Sequence, residues 1–207
     1  MSKLDEVLEI IDQINAQDPR MTATDGAAAV PSDLIYGMRM SLVCDRFAPM
    51  ADDCVKIAAR GQYLESWLFD DALASADTPS GPAPTEEQQR AHSADKLARI
   101  MAANGYNDED CITVRDLLQG SENASEGHLQ LLEDLNGLVF VLFYAKQAIA
   151  KYDKANLQQL LGKALSRMSD EALSFAWQET DDPIITGSIQ STRKALSPQK
   201  RSVYYLD

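Results

Sequence analysis

The sequence is poor in the residues that carry most metal and redox chemistry. It has only two histidines, His92 and His128, and its three cysteines are Cys44, Cys54 and Cys111, with no Cys-x-x-Cys pair. Two histidines cannot build a multi-histidine metal centre, and an odd number of scattered cysteines indicates neither a disulfide framework nor a zinc site. We therefore expect no metal and no cofactor. We expect reduced core cysteines and a reducing intracellular compartment, either the cytoplasm or an organelle interior.

Positive charge and long apolar runs are also scarce. The 207 residues include 19 Lys and Arg against 32 Asp and Glu, for a net charge of -13. Such a surface repels phosphate backbones, which argues against a nucleic-acid partner. The longest apolar run, Leu138–Ala145, is too short to span a bilayer. The beginning of the chain, Met1–Asp12, mixes acids with aliphatic residues and does not have the pattern of a secretory signal.

Apolar residues recur at helical spacing through most of the chain, and no strand-length alternation is present. The pattern predicts an all-α fold, a single-domain bundle of about seven or eight helices. The predicted helices cover 4–14 with Ser2 as cap, a segment that Ser32 caps and that runs through Leu42, 51–69, a segment that Thr85 caps with Gln88 and that Asn104-Gly105 ends, 108–118, 128–152, 157–168, and a short helix that Ser169 caps and that ends near Trp177. Residues 20–31 are predicted to form a loop.

The predicted domain covers residues 1–178, and two segments stand apart from its helical pattern. Residues 70–84 are rich in Ala, Ser and Pro and predict a loop. Residues 179–207 predict an extended basic tail, whose candidate partner-binding side chains are Arg193, Lys194, Lys200, Arg201, Tyr204 and Tyr205. A basic tail with an aromatic end on an acidic body is typical of a segment that binds another protein. A solvated, unanchored end is the alternative.

Several short motifs occur in a fixed order along the chain. They are Ile11–Asn15 with Asp18-Pro19, Pro31–Tyr36 with Arg39-Met40, Ile57–Gln62 with Trp67, His92 with Ala98–Met101 and Gly105-Tyr106, Gln130–Asp134 leading into Leu138–Phe140, and Met168-Ser169. In order and spacing they resemble the family called domain of unknown function 4202, over roughly residues 11–177. That family in turn resembles the HD-type metal phosphohydrolases, which are helical and bind divalent metal through His and Asp.

The HD-like resemblance implies roles for two residues. His92 would open the helix that carries a ligand histidine, and Asp134 would stand where the last ligand aspartate sits. However, the family has Gln-His-Ile followed by Arg and Trp where this chain has Gln62-Tyr63-Leu64 before Trp67. Tyr63 thus takes the place of an imidazole, which argues against catalysis. The predicted remnant is a vestigial pocket of Arg39, Arg60, Tyr63, His92, Glu133 and Asp134.

Glu133 and Asp134 lie on the most apolar predicted helix, and a carboxylate inside a bundle needs a partner. Arg39 and Arg60 are the natural candidates. The plain interpretation is a structural ion-pair network. The functional interpretation is a polar pocket with perturbed pKa values. His92 has the polar neighbours Asp95 and Lys96 one turn on, which favours a groove-edge or surface position.

The leading functional hypothesis is a non-catalytic accessory protein that binds other protein subunits through the tail and the 70–84 loop. The first alternative is a divergent metal-dependent phosphohydrolase that uses Asp134, Glu133 and His92. The second is a small-ligand binding module, which predicts a concave cavity near Arg39, Arg60 and Asp134.

Overall fold

The computed structural model describes residues 1–24, 27–70 and 85–200, and its side chains are described up to residue 196. The predicted all-α fold is confirmed. By its internal contacts the chain divides into two compact units, residues 1–132 and residues 133–207. Each unit is described by itself.

Ten α-helices are present in the described chain. They are α1 (Lys3–Asn15), α2 (Ser32–Phe47), α3 (Asp53–Gly61), α4 (Glu86–Ala103), α5 (Asp108–Gln119), α6 (Glu126–Val139), α7 (Ala145–Lys151), α8 (Lys154–Leu165), α9 (Asp170–Glu179) and α10 (Pro183–Lys200). A 3-10 helix covers Ser66–Phe69, and a π-helical segment covers Phe140–Tyr144. The strands β1 (Met21–Thr24) and β2 (Ala27–Pro31) pair antiparallel.

In the first unit α3 is the central helix, because it contacts α1, α2, α4 and α5. Its side chains Val55, Ile57 and Ala58 are buried. Two predicted caps are confirmed at the ends of neighbouring helices. The Ser2 hydroxyl accepts from the Asp5 backbone N–H, and the Thr85 hydroxyl accepts from the Gln88 N–H, each within a capping box. These caps fix where α1 and α4 begin.

The loop predicted over residues 20–31 is wrong, because most of this segment forms the β1–β2 hairpin. Met21 pairs with Pro31 and Thr22 pairs with Val30. The hairpin also changes the start of α2. Ser32, expected as its cap, is the first helical residue, and its hydroxyl bonds the Thr22 hydroxyl at 2.8 Å. The hairpin is therefore anchored to the helix that follows it.

The single helix predicted over residues 51–69 is also wrong. It ends at Gly61 and continues as the separate 3-10 helix Ser66–Phe69. Glu65 stands between them with φ 59° and ψ 30°, in the left-handed region. A residue in that conformation cannot continue a right-handed helix. Glu65 therefore separates α3 from the 3-10 helix that contains Ser66 and Trp67.

The second unit contains a similar interruption in the predicted 128–152 helix. The backbone is π-helical from Phe140 to Tyr144 before α7 begins. The segment predicted as an extended tail is helical from Pro183 to Lys200. Asp182 explains where this helix begins, because its carboxylate accepts from the Ile184 N–H at 2.9 Å, beside a proline suited to a first turn. Ile185 and Ile189, one turn apart, are fully buried and hold α10 in the unit.

The three cysteines are buried and free, as predicted. Burial raises the pKa of the Cys54 thiol to about 12, with nearby aspartates adding to the shift. Such a thiol stays protonated and unreactive at neutral pH. Within the described ranges, no helix has both the length and the apolar character needed to cross a membrane.

Candidate functional site

Arg60 lies at the end of α3, and its partner is a carboxylate of α1. Its Nε donates to Asp12 Oδ1 at 2.7 Å, and its Nη2 donates to Asp12 Oδ2. Its Nη1 donates to the Gly37 carbonyl at 3.3 Å. A Cβ on Gly37 would meet the Arg60 carbonyl oxygen at 2.7 Å, so α2 and α3 approach closely here. Arg60 was expected to pair with Glu133 or Asp134. The structure gives it a structural role among α1, α2 and α3.

Tyr63 lies at the surface of the first unit. Its side chain is 40% exposed, and its ring packs edge-on against Tyr36 with centroids 5.0 Å apart. Arg39 is half-buried on α2. The phenol ring therefore packs edge-on against an aromatic neighbour at the surface.

Glu65 joins the 3-10 segment to α4 through two donors. His92 Nε2 lies 2.8 Å from Glu65 Oε2, and Lys96 Nζ donates to Glu65 Oε1. Burial raises the pKa of Glu65, but the hydrogen bonds from Lys96 and His92 outweigh it and hold the pKa below the usual value. Because the ionised carboxylate can only accept, Nε2 of His92 carries the proton. Nδ1 of a neutral ring is then the acceptor.

A groove of about 520 Å³ runs along α4, and we call it the α4 groove. It is lined by Ile10, His92, Asp95, Lys96, Arg99, Ile100, Ala103 and Asn104. Of the predicted pocket residues in this unit, His92 lines the groove, whereas Arg39, Arg60 and Tyr63 do not. The groove-edge position expected for His92 is where the structure places it.

Asp134 and Glu133 belong to the second unit. Asp134 is buried, and its two oxygens accept from the Ser169 backbone N–H and the Ser169 hydroxyl, each at 2.7 Å. The same hydroxyl caps α9 by accepting from Ala172 N–H. Glu133 lies 3.6 Å from Arg167, and both side chains are about half exposed. Asp134 thus supports the start of α9.

Sequence reasoning missed the most buried ionic group of the first unit, which we call the Arg20 cluster: Asp18, Arg20, Asp33 and Ser66. Arg20 binds both Asp18 oxygens at 2.9 and 3.0 Å, and one of its terminal nitrogens also reaches Asp33 at 2.9 Å and Ser66 at 2.6 Å. Asp70 lies 3.6 Å from the same guanidinium. One arginine therefore ties the chain before β1 to the start of α2 and to the 3-10 helix.

The two buried carboxylates of the Arg20 cluster titrate differently. Burial raises the pKa of Asp33 to about 6, against the hydrogen bonds from Ser66 and the charge of Arg20. Burial also raises the pKa of Asp18, but the hydrogen bonds from Arg20 and from the Asp33 backbone lower it by more. The sequence did contain a signal for this cluster. Two of the short motifs, Asp18-Pro19 and Pro31-Ser32-Asp33, include its two carboxylates.

The predicted partner-binding residues lie in or beyond α10. Arg193 donates to the Ser174 hydroxyl at 2.6 Å, and Lys194 is exposed. Outside the described residues lie the side chain of Lys200 and all of Arg201, Tyr204 and Tyr205. The predicted loop also lies outside them from residue 71 onward. Among the described residues, no three His, Cys, Asp or Glu side chains group as the ligands of a metal ion would.

Fold and site together define an all-α protein whose motif residues form ion pairs and helix caps. Over residues 5–183 the chain matches the family model Domain of unknown function (DUF4202), and it therefore belongs to that family. A comparison with curated proteins and another with solved structures found no match.

Proposed function

We propose that this protein is a non-catalytic accessory protein that binds other protein subunits and is built on a degenerate HD-like scaffold. The observation that carries the proposal is Tyr63. A phenol with a pKa near 10 is a poor substitute for imidazole as a metal ligand or a base near neutral pH. The ring is instead used in an aromatic contact with Tyr36 at the protein surface.

The environment of Asp134 supports the same proposal. An aspartate that held a catalytic cation would keep an oxygen directed at the metal. Here both oxygens accept hydrogen bonds from Ser169, which also begins α9. Asp134 therefore has a sufficient structural reason to be where it is.

Exposed apolar side chains support the binding half of the proposal. On α2, Met38 and Leu42 lie one turn apart and are 45% and 50% exposed. In the second unit Trp177 and Ile184 are also exposed. Adjacent exposed apolar side chains such as Met38 and Leu42 are the kind of surface that another protein covers, whereas single ones are common on any protein.

The experiment compares the full chain with a version that ends at Lys200. A deletion from Trp177 onward would remove Ile185 and Ile189 from the core, so the shorter deletion separates binding from folding. Both versions carry a tag and are purified from their own cells under native conditions. We expect a stoichiometric protein partner with the full chain and its loss when residues 201–207 are absent.

Catalysis is tested on the same preparations with Mg²⁺ or Mn²⁺ and a panel of nucleotides and phosphomonoesters. We expect no turnover above the background of a Tyr63→Phe control. Turnover that Asp134→Asn or His92→Gln abolishes would establish the alternative, a divergent phosphohydrolase. A full chain that remains monomeric and without a partner would contradict the accessory role.

A further inference from the structure

The α4 groove has the chemistry of an anion-binding site. His92, Lys96 and Arg99 are spaced four and three residues apart, which places them on one face of α4, and all three line the groove. The carboxylate among the lining residues is Asp95, and Arg115 binds it at 2.9 Å. In a chain with a net charge of -13, this groove brings the cations Lys96 and Arg99 together. Of the nearby acids, Asp95 is paired with Arg115 and Glu65 with Lys96.

Donors remain for a ligand after the internal contacts are made. Lys96 has three N–H donors, of which the contact with Glu65 uses one. Arg99 is exposed, and no carboxylate of the described chain lies within ion-pair distance of its guanidinium. A guanidinium and an ammonium one turn apart match the oxygens of a carboxylate or a phosphate.

Glu65, a residue with a strained backbone, holds two of these side chains in place. Glu65 is the one non-glycine residue of the described ranges with a positive φ. Such a conformation costs about 1 kcal/mol or more and tends to persist where function needs a side chain in place. Here it directs the Glu65 carboxylate at His92 and Lys96, so that both side chains are held on the groove.

The rest of the lining is apolar except for Asn104, whose side-chain amide donates to the Ile100 carbonyl. Ile10 of α1, with Ile100 and Ala103 of α4, gives the groove a hydrophobic portion beside its charged one. We propose that the α4 groove binds a small organic anion, a carboxylate or phosphate monoester on a short aliphatic chain. Arg99 and Lys96 bind the anionic group, and Ile10 and Ile100 contact the chain. This inference does not depend on the accessory role, because it uses neither α10 nor the end of the chain.

The test titrates the full chain with three probes: hexanoate, butyl phosphate and inorganic phosphate. Binding is followed by calorimetry and by backbone amide NMR shifts. We expect saturable binding of hexanoate or butyl phosphate at millimolar concentration, with the largest shifts between residues 92 and 104. Inorganic phosphate should bind at least several-fold more weakly, because it lacks the apolar part.

Arg99→Gln is the decisive variant, because Arg99 makes no described ion pair whose loss would unfold the protein. We expect it to weaken binding about tenfold, as the loss of one charge-assisted contact does. Arg90→Gln is the matched control, since Arg90 is exposed on the same helix but does not line the groove, and it should leave the affinity unchanged.

The three probes and two variants distinguish the class of ligand and also test the proposal itself. Preference for butyl phosphate would identify phosphate monoesters as the ligand class, and preference for hexanoate would identify carboxylates. Failure of both organic probes to saturate would overturn the proposal, as would equal weakening by Arg99→Gln and Arg90→Gln. Binding of inorganic phosphate as tight as that of butyl phosphate would overturn the assignment to an organic anion.

Discussion

Glu65 accepts a hydrogen bond from His92 Nε2 at 2.8 Å while its own backbone holds φ at 59°. The contact and the strain belong together, because the left-handed backbone of Glu65 lies between the end of α3 at Gly61 and the 3-10 helix that begins at Ser66. It leaves the side chain opposite α4 rather than on the side of a continuous helix. The carboxylate then stabilises a conformation that the backbone by itself disfavours.

The first prediction separates the strain at Glu65 from its carboxylate. Glu65→Ala removes the contacts with His92 and Lys96 and keeps the left-handed backbone, whereas Glu65→Gly removes the same contacts and relieves the strain. We expect the glycine variant to be more stable than the alanine variant by about 1 kcal/mol, the reverse of their usual order in a helix. Urea unfolding with equal slopes measures the difference. An alanine variant that matches or exceeds the glycine variant would contradict the assignment.

Much of the helical framework could be predicted from local signals. Ser2 with Asp5 and Thr85 with Gln88 are capping boxes, and Gly105 ends α4 with a positive φ as the Asn-Gly pair suggested. These features depend on neighbours within a few residues. The sequence is therefore sufficient to place them.

The features that sequence reasoning missed depend on distant partners. The left-handed Glu65 interrupts a run whose apolar spacing is helical on both sides, and its partners lie 27 and 31 residues further along the chain. Arg60 was expected to bind a carboxylate, but the choice of Asp12 depends on how α1 packs against α3.

For the hairpin a local signal did exist in the sequence. Asp25-Gly26, between short Thr- and Ala-rich runs, is a dipeptide typical of hairpins.

The second prediction concerns Arg20, which donates hydrogen bonds to two buried carboxylates. Arg20→Met leaves Asp18 and Asp33 without a guanidinium, and we expect a loss of about 2–4 kcal/mol in the free energy of unfolding, because unpaired buried charges are costly. Arg20→Lys keeps the charge but lacks the fork that binds both Asp18 oxygens, so it should recover less than half of the loss. Arg90→Met, at an exposed site, is the control and should change stability by less than about 0.5 kcal/mol. Equal effects of the methionine variants would refute the role of the cluster.

The third prediction is a pH dependence from Asp33, whose pKa lies near 6 in the folded protein and near 3.8 in the unfolded chain. The folded state holds the proton more tightly, so the contribution of Asp33 to stability is fully present below about pH 4. It is lost as the pH rises through 6. Asp33→Asn stays neutral throughout. The stability of the wild type relative to this variant should therefore fall by roughly 2–3 kcal/mol between pH 4 and pH 7.

Chemical denaturation of both proteins at half-unit pH steps measures this difference. The pKa values of Asp18 and Glu65 are lowered, so these two groups make both proteins more stable as the pH rises. The prediction therefore concerns the difference between the two stability curves and not the slope of either curve alone. Parallel curves from pH 4 to pH 7 would show that Asp33 ionises normally.

The fourth prediction tests whether Asp134 is structural. Ser169→Ala removes the cap of α9 and also the hydroxyl that donates to the buried Asp134 carboxylate. Thr85→Ala removes only an exposed cap, and we expect it to cost about 1 kcal/mol. The serine variant should cost about 2–3 kcal/mol of stability, because the Asp134 oxygen loses its hydroxyl donor in a buried site.

Asp134→Asn can still accept from Ser169. It should therefore destabilise the protein less than Asp134→Ala if the residue supports α9. Urea unfolding of the four variants decides the point, and equal costs at Ser169 and Thr85 would mean that Asp134 does not depend on the serine.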